Sequence, residues 1–185
     1  FRYSSRIFCS FTLFSHVFNK DEFYVCSRNV VFDKPDKNCY YNTNVYTEMA
    51  EKYNIKQVLK DLLDSTNAQW VTIQGETYGD HIQKRDYSLT DGKHDFMAFN
   101  LIFSDRGRVS TIEMKELLEP FGVPCVPIID TNFIFPDTVD ELLEIATGQS
   151  VVDGKPREGI VFYDKATGQI YTKFVSPNFL MKYHA

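Results

Sequence analysis

The chain alternates between stretches with a polar–apolar period of two and stretches with a period near four, so strands and helices are both expected. "DEFYVCSRNVVF" (21–32) alternates and is rich in β-forming residues, which predicts a strand with Ser27 and Arg28 near its far end. "DKPDKN" (33–38) reads as a loop. Between residues 43 and 64 two helical stripes follow, Val45, Met49 and Tyr53 in the first and Val58, Leu59, Leu62 and Leu63 in the second. Stripes of this kind face a core. Trp70, Thr72 and Gln74 then alternate with Val71 and Ile73, and the run breaks at Gly75. Glu76 is thereby expected at a strand end, before a polar loop holding His81, Gln83, Lys84 and Arg85.

Further along, "DFMAFNLIF" (95–103) predicts an aromatic-rich strand. "STIEMKELLEPFG" (110–122) predicts a helix with a capping box of Ser110 and Glu113 and a stop at Pro120–Gly122. "VPCVPIID" (123–130) reads as a proline-interrupted edge strand. "TVDELLEIATG" (138–148) is a helix capped by Thr138 with Glu141 and closed at Gly148. "REGIVFY" and "IYTKFV", joined by "DKATG", predict a hairpin. With no internal repeat or low-complexity linker, the pattern gives one domain of mixed α+β type.

Composition narrows the function classes. Of 185 residues, 43% are hydrophobic and 15% aromatic, which supports a packed core rather than disorder. A net charge of −5 excludes a surface that grips nucleic acid everywhere, yet leaves room for a local basic groove. Cys9, Cys26, Cys39 and Cys125 show no spacing suited to zinc and read as free thiols of a reducing, intracellular compartment, the cytoplasm or a virus- or phage-infected cell. No apolar run approaches the ~20 residues of a membrane span. "RIFCSFTLFSHVF" (6–18) is rich in Phe and Ser and lacks acids. It has the look of a weak signal-peptide core, but no small-x-small cleavage site follows.

The polar residues at strand ends make a candidate constellation: Arg28, Glu76, Glu158 at "REGIVF" and Lys173 at "YTKF", with Phe99 inside an otherwise hydrophobic strand. If these met, the aromatic could stack on a base, the cations could neutralise phosphate charge, and a carboxylate could hold Mg²⁺ or a ribose hydroxyl. Each also has a plainer reading, in which the lysine and glutamates are solvated and Phe99 is core.

The ordered blocks "QGETYGDHIQKRDYSL", "HDFMAFN", "EGIVFY" and "YTKFVSPNFLMKY" resemble the nucleotidyltransferase domain of ATP-dependent RNA ligases of the phage and RNA-editing type. The likeness covers residues 21–183. It implies a nucleotidyltransferase (ATP-grasp-like) domain of antiparallel sheets flanked by helices, with ATP and Mg²⁺ as cofactors and RNA 5′-phosphate and 3′-hydroxyl ends as partners. By the same resemblance Arg28 contacts the nucleotide or the RNA end, Glu76 holds the ribose, and Phe99 stacks on adenine. Glu158 serves metal binding and catalysis, and Lys173 serves catalysis at the α-phosphate. Gln83 and Lys84, in the loop after Glu76, would approach RNA. Relatives carry a second lysine where this chain has Val175, and Lys182 is the candidate to take its part in ATP binding.

The family's attacking lysine lies in a Lys-x-Asp-Gly block upstream of the matched arginine. Here that window is "SSRIFCSFTL" (4–13), which has no lysine, aspartate or glycine. Arg6 stays protonated and is no nucleophile. Lys20 precedes Arg28, but no Asp-Gly follows it. Residues 1–20 are therefore expected to be an atypical, mis-framed segment ahead of a ligase domain at 21–185, with an upstream block outside the sequence as the lesser explanation. The alternatives are a non-catalytic module for nucleotide or RNA ends and another nucleotidyltransferase such as a DNA ligase.

Overall fold

The computed structural model describes residues 11–17, 22–28, 30–32, 44–82, 87–164 and 170–184. Strands β1 (Phe11–Val17), β2 (Glu22–Cys26), β3 (Trp70–Gly79), β4 (His94–Phe103) and β5 (Gly107–Arg108) form an antiparallel sheet in the order β2-β1-β3-β4-β5. Helices α1 (Val45–Lys52) and α2 (Ile55–Asp64) pack on one face through the predicted stripes: Met49, Val58, Leu59 and Leu63 meet Phe14, Ile73, Phe96 and Leu101 in one core. Asn54 turns the chain between the two helices in the left-handed region, a conformation asparagine tolerates.

Phe11–Val17, from the segment read as atypical, is an inner strand paired on both sides. Its core face carries Thr12 and Phe14, and the hydroxyls of Thr12 and Thr77 lie 2.7 Å apart, so this buried polar pair is satisfied.

Helix α3 (Thr111–Leu118) starts as its cap predicts, with the Ser110 hydroxyl accepting from the Glu113 amide. The reciprocal half of the capping box goes elsewhere, because the Glu113 carboxylate pairs with Arg106 at 2.6 Å. Helix α4 (Val139–Ala146) has the full box of Thr138 and Glu141. The hairpin is formed by β6 (Gly159–Tyr163) and β7 (Ile170–Val175). A helix that the pattern did not reveal, α5 (Pro177–His184), follows directly. Ser176 accepts from the Phe179 amide and proline fills the first helical position, which is a start signal in its own right.

Residues 123–130 do not form the expected strand. Their prolines confine pairing to a single parallel bridge, in which Ala98 donates to Pro124 and accepts from Val126. The segment continues to Phe133 and Phe135, whose rings pack on Phe162 of the hairpin at centroid distances of 4.8 and 4.9 Å. It thus ties the hairpin to the edge of the large sheet.

Cys26 and Cys125 are free thiols. Burial and the nearby Glu119 push the Cys125 thiol up to about 11, against a smaller opposing effect of Lys115. Because the folded value is raised, this group's contribution to stability is complete below pH 9 and lost as pH rises towards 11. The thiolate is the reactive form, so Cys125 should react slowly with a maleimide at pH 8. Cys125→Ala should flatten part of the decline in urea midpoint between pH 9 and 11. Fast labelling of the folded protein, or an unchanged decline, would contradict this.

Candidate functional site

Alternation along β3 and β4 sorts their side chains between two faces. Val71 and Ile73 turn to the helices, so Gln74 and Glu76 turn to the opposite face, where their partners across the ladder are Asn100 and Met97. Between Gln74 and Gly75 the register slips: Gln74 pairs with Asn100 and Gly75 with Ala98. Phe99 is the extra residue of a β-bulge. Two residues, Phe99 and Asn100, thus stand against one, and the bulge turns Phe99 to the face that carries Glu76. Phe99 is half-buried and is not one of the residues that make up the helix-side core cluster.

Gly75 makes this arrangement possible. A Cβ there would lie 2.2 Å from the Phe96 ring and 2.4 Å from the Met97 carbonyl. The sequence reading took this glycine as the end of the strand. It instead flanks the register shift, opposite Ala98, and β3 continues to Gly79, with Glu76, Thr77 and Tyr78 paired to Met97, Phe96 and Asp95. Glu76 is thus a mid-strand residue whose ladder partners hold it in place.

Strand β2 also ends sooner than expected, at Cys26. Arg28 is exposed in the following turn, closed by the Ser27 amide donating to the Val30 carbonyl at 2.8 Å. Cys26 pairs with Leu13, and Leu13 with Gln74, so Arg28 leaves the sheet at the end towards which Glu76 points along β3. The strands β2 and β3 are separated by two strand spacings, about 10 Å.

In the hairpin, Lys173 donates to Glu158 Oε1 at 2.6 Å, with side chains 35% and 22% exposed. The Glu158 backbone is fixed as well, its carbonyl accepting from the Ser176 amide at 2.7 Å. The preceding Arg157 donates to the Ala146 carbonyl at 3.1 Å and to the Ile145 carbonyl, closing the C-terminal end of α4. Tyr163, at the far end of β6, is pushed up by burial and eased by Arg108 of β5, so this end of the hairpin lies near the large sheet. The structure therefore brings Glu76 and Phe99 together on one sheet face and joins Glu158 to Lys173 on the hairpin. Lys182 lies on α5, exposed. Gln83 and Lys84 lie outside the described residues, as do residues 4–10 of the window searched for a lysine.

Sequence reasoning missed Asn100 and the partnership it makes. Its amide, 4% exposed, donates to Gln74 Oε1 at 2.8 Å beside Phe99 and Glu76. An asparagine inside an apolar strand was the available signal. Among the described residues, no group of three or more His, Cys, Asp or Glu side chains is arranged to hold a metal, and no helix is long and apolar enough to cross a membrane.

The family model described as RNA ligase matches residues 9–184. The chain belongs to the RNA ligase family. Its fold is similar to that of the Naegleria gruberi RNA ligase: a mutant solved with AMP and Mn superposes with a TM-score of 0.76 and 25% identity, over 95% of this chain and 50% of that one. A mutant with ATP and Mn gives the same values. The ligase with PPi gives a TM-score of 0.75 and 25% identity, over 94% and 49%. This RNA ligase family member thus spans about half the length of those chains. No curated protein matches it in sequence. The mixed helix and antiparallel-sheet architecture is that of the ligase nucleotidyltransferase domain, as expected.

Proposed function

We propose that this chain is the nucleotide-binding core of an ATP-dependent RNA ligase that joins RNA 5′-phosphate and 3′-hydroxyl ends through adenylylated intermediates. The observation that carries the reading is the bulge that sets Phe99 on the face of Glu76 in a member of this family. Complexes of the Naegleria ligase with ATP, AMP and PPi support it.

In this reading adenine stacks on Phe99, the ribose hydroxyls bond to Glu76, and Lys173 neutralises the α-phosphate. Arg28, Gln83 and Lys84 approach the RNA end, and Lys182 adds positive charge at the nucleotide. A deprotonated lysine nitrogen forms a bond to the α-phosphorus while the bond to the bridging oxygen breaks, and pyrophosphate leaves with the electron pair. AMP then passes to the RNA 5′-phosphate, and the 3′-hydroxyl displaces it. Positioning and charge neutralisation supply most of the acceleration in such in-line displacements. Glu158 fits Mg²⁺, which takes one or two carboxylates together with substrate phosphates. The ion would supply further neutralisation at the phosphates. Free thiols at Cys26 and Cys125 support an intracellular setting.

The lysine-free window at residues 4–13 favours a second reading, a relative that binds nucleotide or RNA ends without catalysis. α-Labelled ATP separates the two. Label on the protein after denaturation supports the ligase, and ATP binding without label supports the module. A folded chain that binds no ATP overturns both. Trials on nicked RNA and nicked DNA decide between an RNA ligase and a DNA ligase.

Phe99→Ala should weaken ATP binding by on the order of 1–3 kcal/mol, the range of base-stacking losses. Calorimetric titration should show this with little change in melting temperature. Unchanged affinity with lowered stability would make Phe99 a packing residue only.

A further inference from the structure

Arg157 immediately precedes Glu158, and a cation at that place would suit a phosphate, yet its guanidinium is already engaged with α4. The last four carbonyls of a helix have no partner inside it. In α4 two residues share them. The Thr147 amide donates to the Leu143 and Glu144 carbonyls at 2.9 and 3.0 Å, and its hydroxyl donates to Leu143 at 2.8 Å. The Arg157 guanidinium donates to Ile145 and Ala146, where the helix dipole favours a cation. The same two residues reach Glu158 from both sides. Arg157 adjoins it in the chain and donates its own amide to the Gly148 carbonyl at 2.8 Å. Thr147 accepts at 3.5 Å from the hydroxyl of Ser176, which is 1% exposed and whose amide donates to the Glu158 carbonyl at 2.7 Å. The circuit from Arg157 through α4, Thr147 and Ser176 thus closes on Glu158.

We propose that Arg157 is a positioning residue: it mounts Glu158, and with it Lys173, on the last turn of α4, so that the carboxylate is set for a divalent cation on the nucleotide phosphates. The proposal rests on the nucleotide reading above and adds to it what holds the Glu158–Lys173 pair in place. Glu158 comes before Gly159, the first residue of β6 in the ladder, so strand pairing alone does not fix it. A carboxylate that serves a metal needs such outer support, because the groups that orient a ligand decide how well it coordinates. Gly148 belongs to the mount. A Cβ there would lie 3.0 Å from a guanidinium nitrogen of Arg157 and 3.2 Å from its central carbon. Gly148→Ala therefore presses the guanidinium away from the helix end while leaving every charge in place.

The test is titration of the full chain with ATP at a series of Mg²⁺ concentrations, from none upward. The wild type is expected to bind ATP more tightly as Mg²⁺ is added. Arg157→Ala is expected to leave the affinity without Mg²⁺, and its salt slope, unchanged. It should raise the Mg²⁺ concentration needed for half of the gain by about tenfold, the low end of the losses that follow removal of a group orienting a metal ligand. Gly148→Ala should act in the same direction and more weakly. Added to Arg157→Ala it should have no effect, because both changes act on one contact. Should Arg157→Ala fail to fold, Gly148→Ala decides, since its methyl meets only the end of a flexible side chain. An unshifted Mg²⁺ dependence, with or without a lower melting temperature, overturns the proposal and leaves Arg157 a helix cap only. A salt-sensitive fall in the Mg²⁺-free affinity of Arg157→Ala overturns it too, since that is the mark of a phosphate ligand. Wild-type ATP binding that ignores Mg²⁺ overturns it while leaving the nucleotide site in place. Folded wild type that binds no ATP overturns the nucleotide reading and the proposal together.

Discussion

Lys173→Ala is expected to slow transfer of AMP to the protein or to RNA on the order of 10²–10³-fold, the loss seen when one preorganised charge-stabilising contact is removed from a transition state. The ammonium is held by Glu158 Oε1 at 2.6 Å, and the Glu158 backbone is tied in turn to Ser176. The cation is therefore in place before nucleotide arrives, with little reorganisation left to do. Two positions along, β7 has Val175, so the strand offers no neighbouring cation to compensate. Stability should hardly change, because a pair with side chains 35% and 22% exposed is screened by water and contributes at most about 1 kcal/mol. ATP affinity should fall, and the part that is lost should be the salt-sensitive part. Lys173→Arg should restore charge but not rate, since a planar fork replaces a compact ammonium. Single-turnover transfer at two salt concentrations measures all of this. An unchanged rate and salt slope would reduce the Lys173–Glu158 contact to a surface ion pair.

How far the sequence disclosed this arrangement depends on what each element needs in order to form. The helices α1 and α2 were legible because a stripe such as Val58, Leu59, Leu62 and Leu63 specifies its own buried face. The caps at Ser110 and Thr138 were legible for the same local reason. Strand β1 was obscured because the polar Thr12 is buried on the same core face as Phe14, so polarity does not track burial there. The bulge could not be read at all. It is a property of two strands in register, and Phe99 looks like any other aromatic until Gln74 is seen to pair with Asn100 and Gly75 with Ala98. Gly75 then misled in a specific way: in isolation a glycine reads as a strand end, whereas here the crowding of Phe96 requires it. The residues of the site were identified by their resemblance to a family, and the pairing explains how two of them, Glu76 and Phe99, come to share a face.

Gly75→Ala should be among the most damaging single substitutions in the sheet, at the upper end of the ~1–3 kcal/mol typical of overpacking or beyond it. The added methyl would meet Phe96 Cζ at 2.2 Å and Cε2 at 2.3 Å, and the Met97 carbonyl at 2.4 Å. Phe96 is fully buried against Phe14, with ring centroids 5.2 Å apart, so its ring has no free volume to enter. Met97 belongs to the backbone of β4 and can move only if the strand moves. Its displacement would disturb the bulge that directs Phe99 and Asn100, so nucleotide binding should fall together with stability. Two causes can be separated by adding Phe96→Leu. The smaller side chain relieves the ring contact but leaves the carbonyl contact, so the double variant should regain part of the lost melting temperature without regaining ATP affinity. At about 2–4 °C per kcal/mol for a chain of this size, the single variant should melt roughly 6–12 °C below the wild type. A melting temperature within 2 °C of the wild type, at roughly that scale of sensitivity, would show that β3 and β4 can separate at Gly75 without cost and that the bulge does not depend on this glycine.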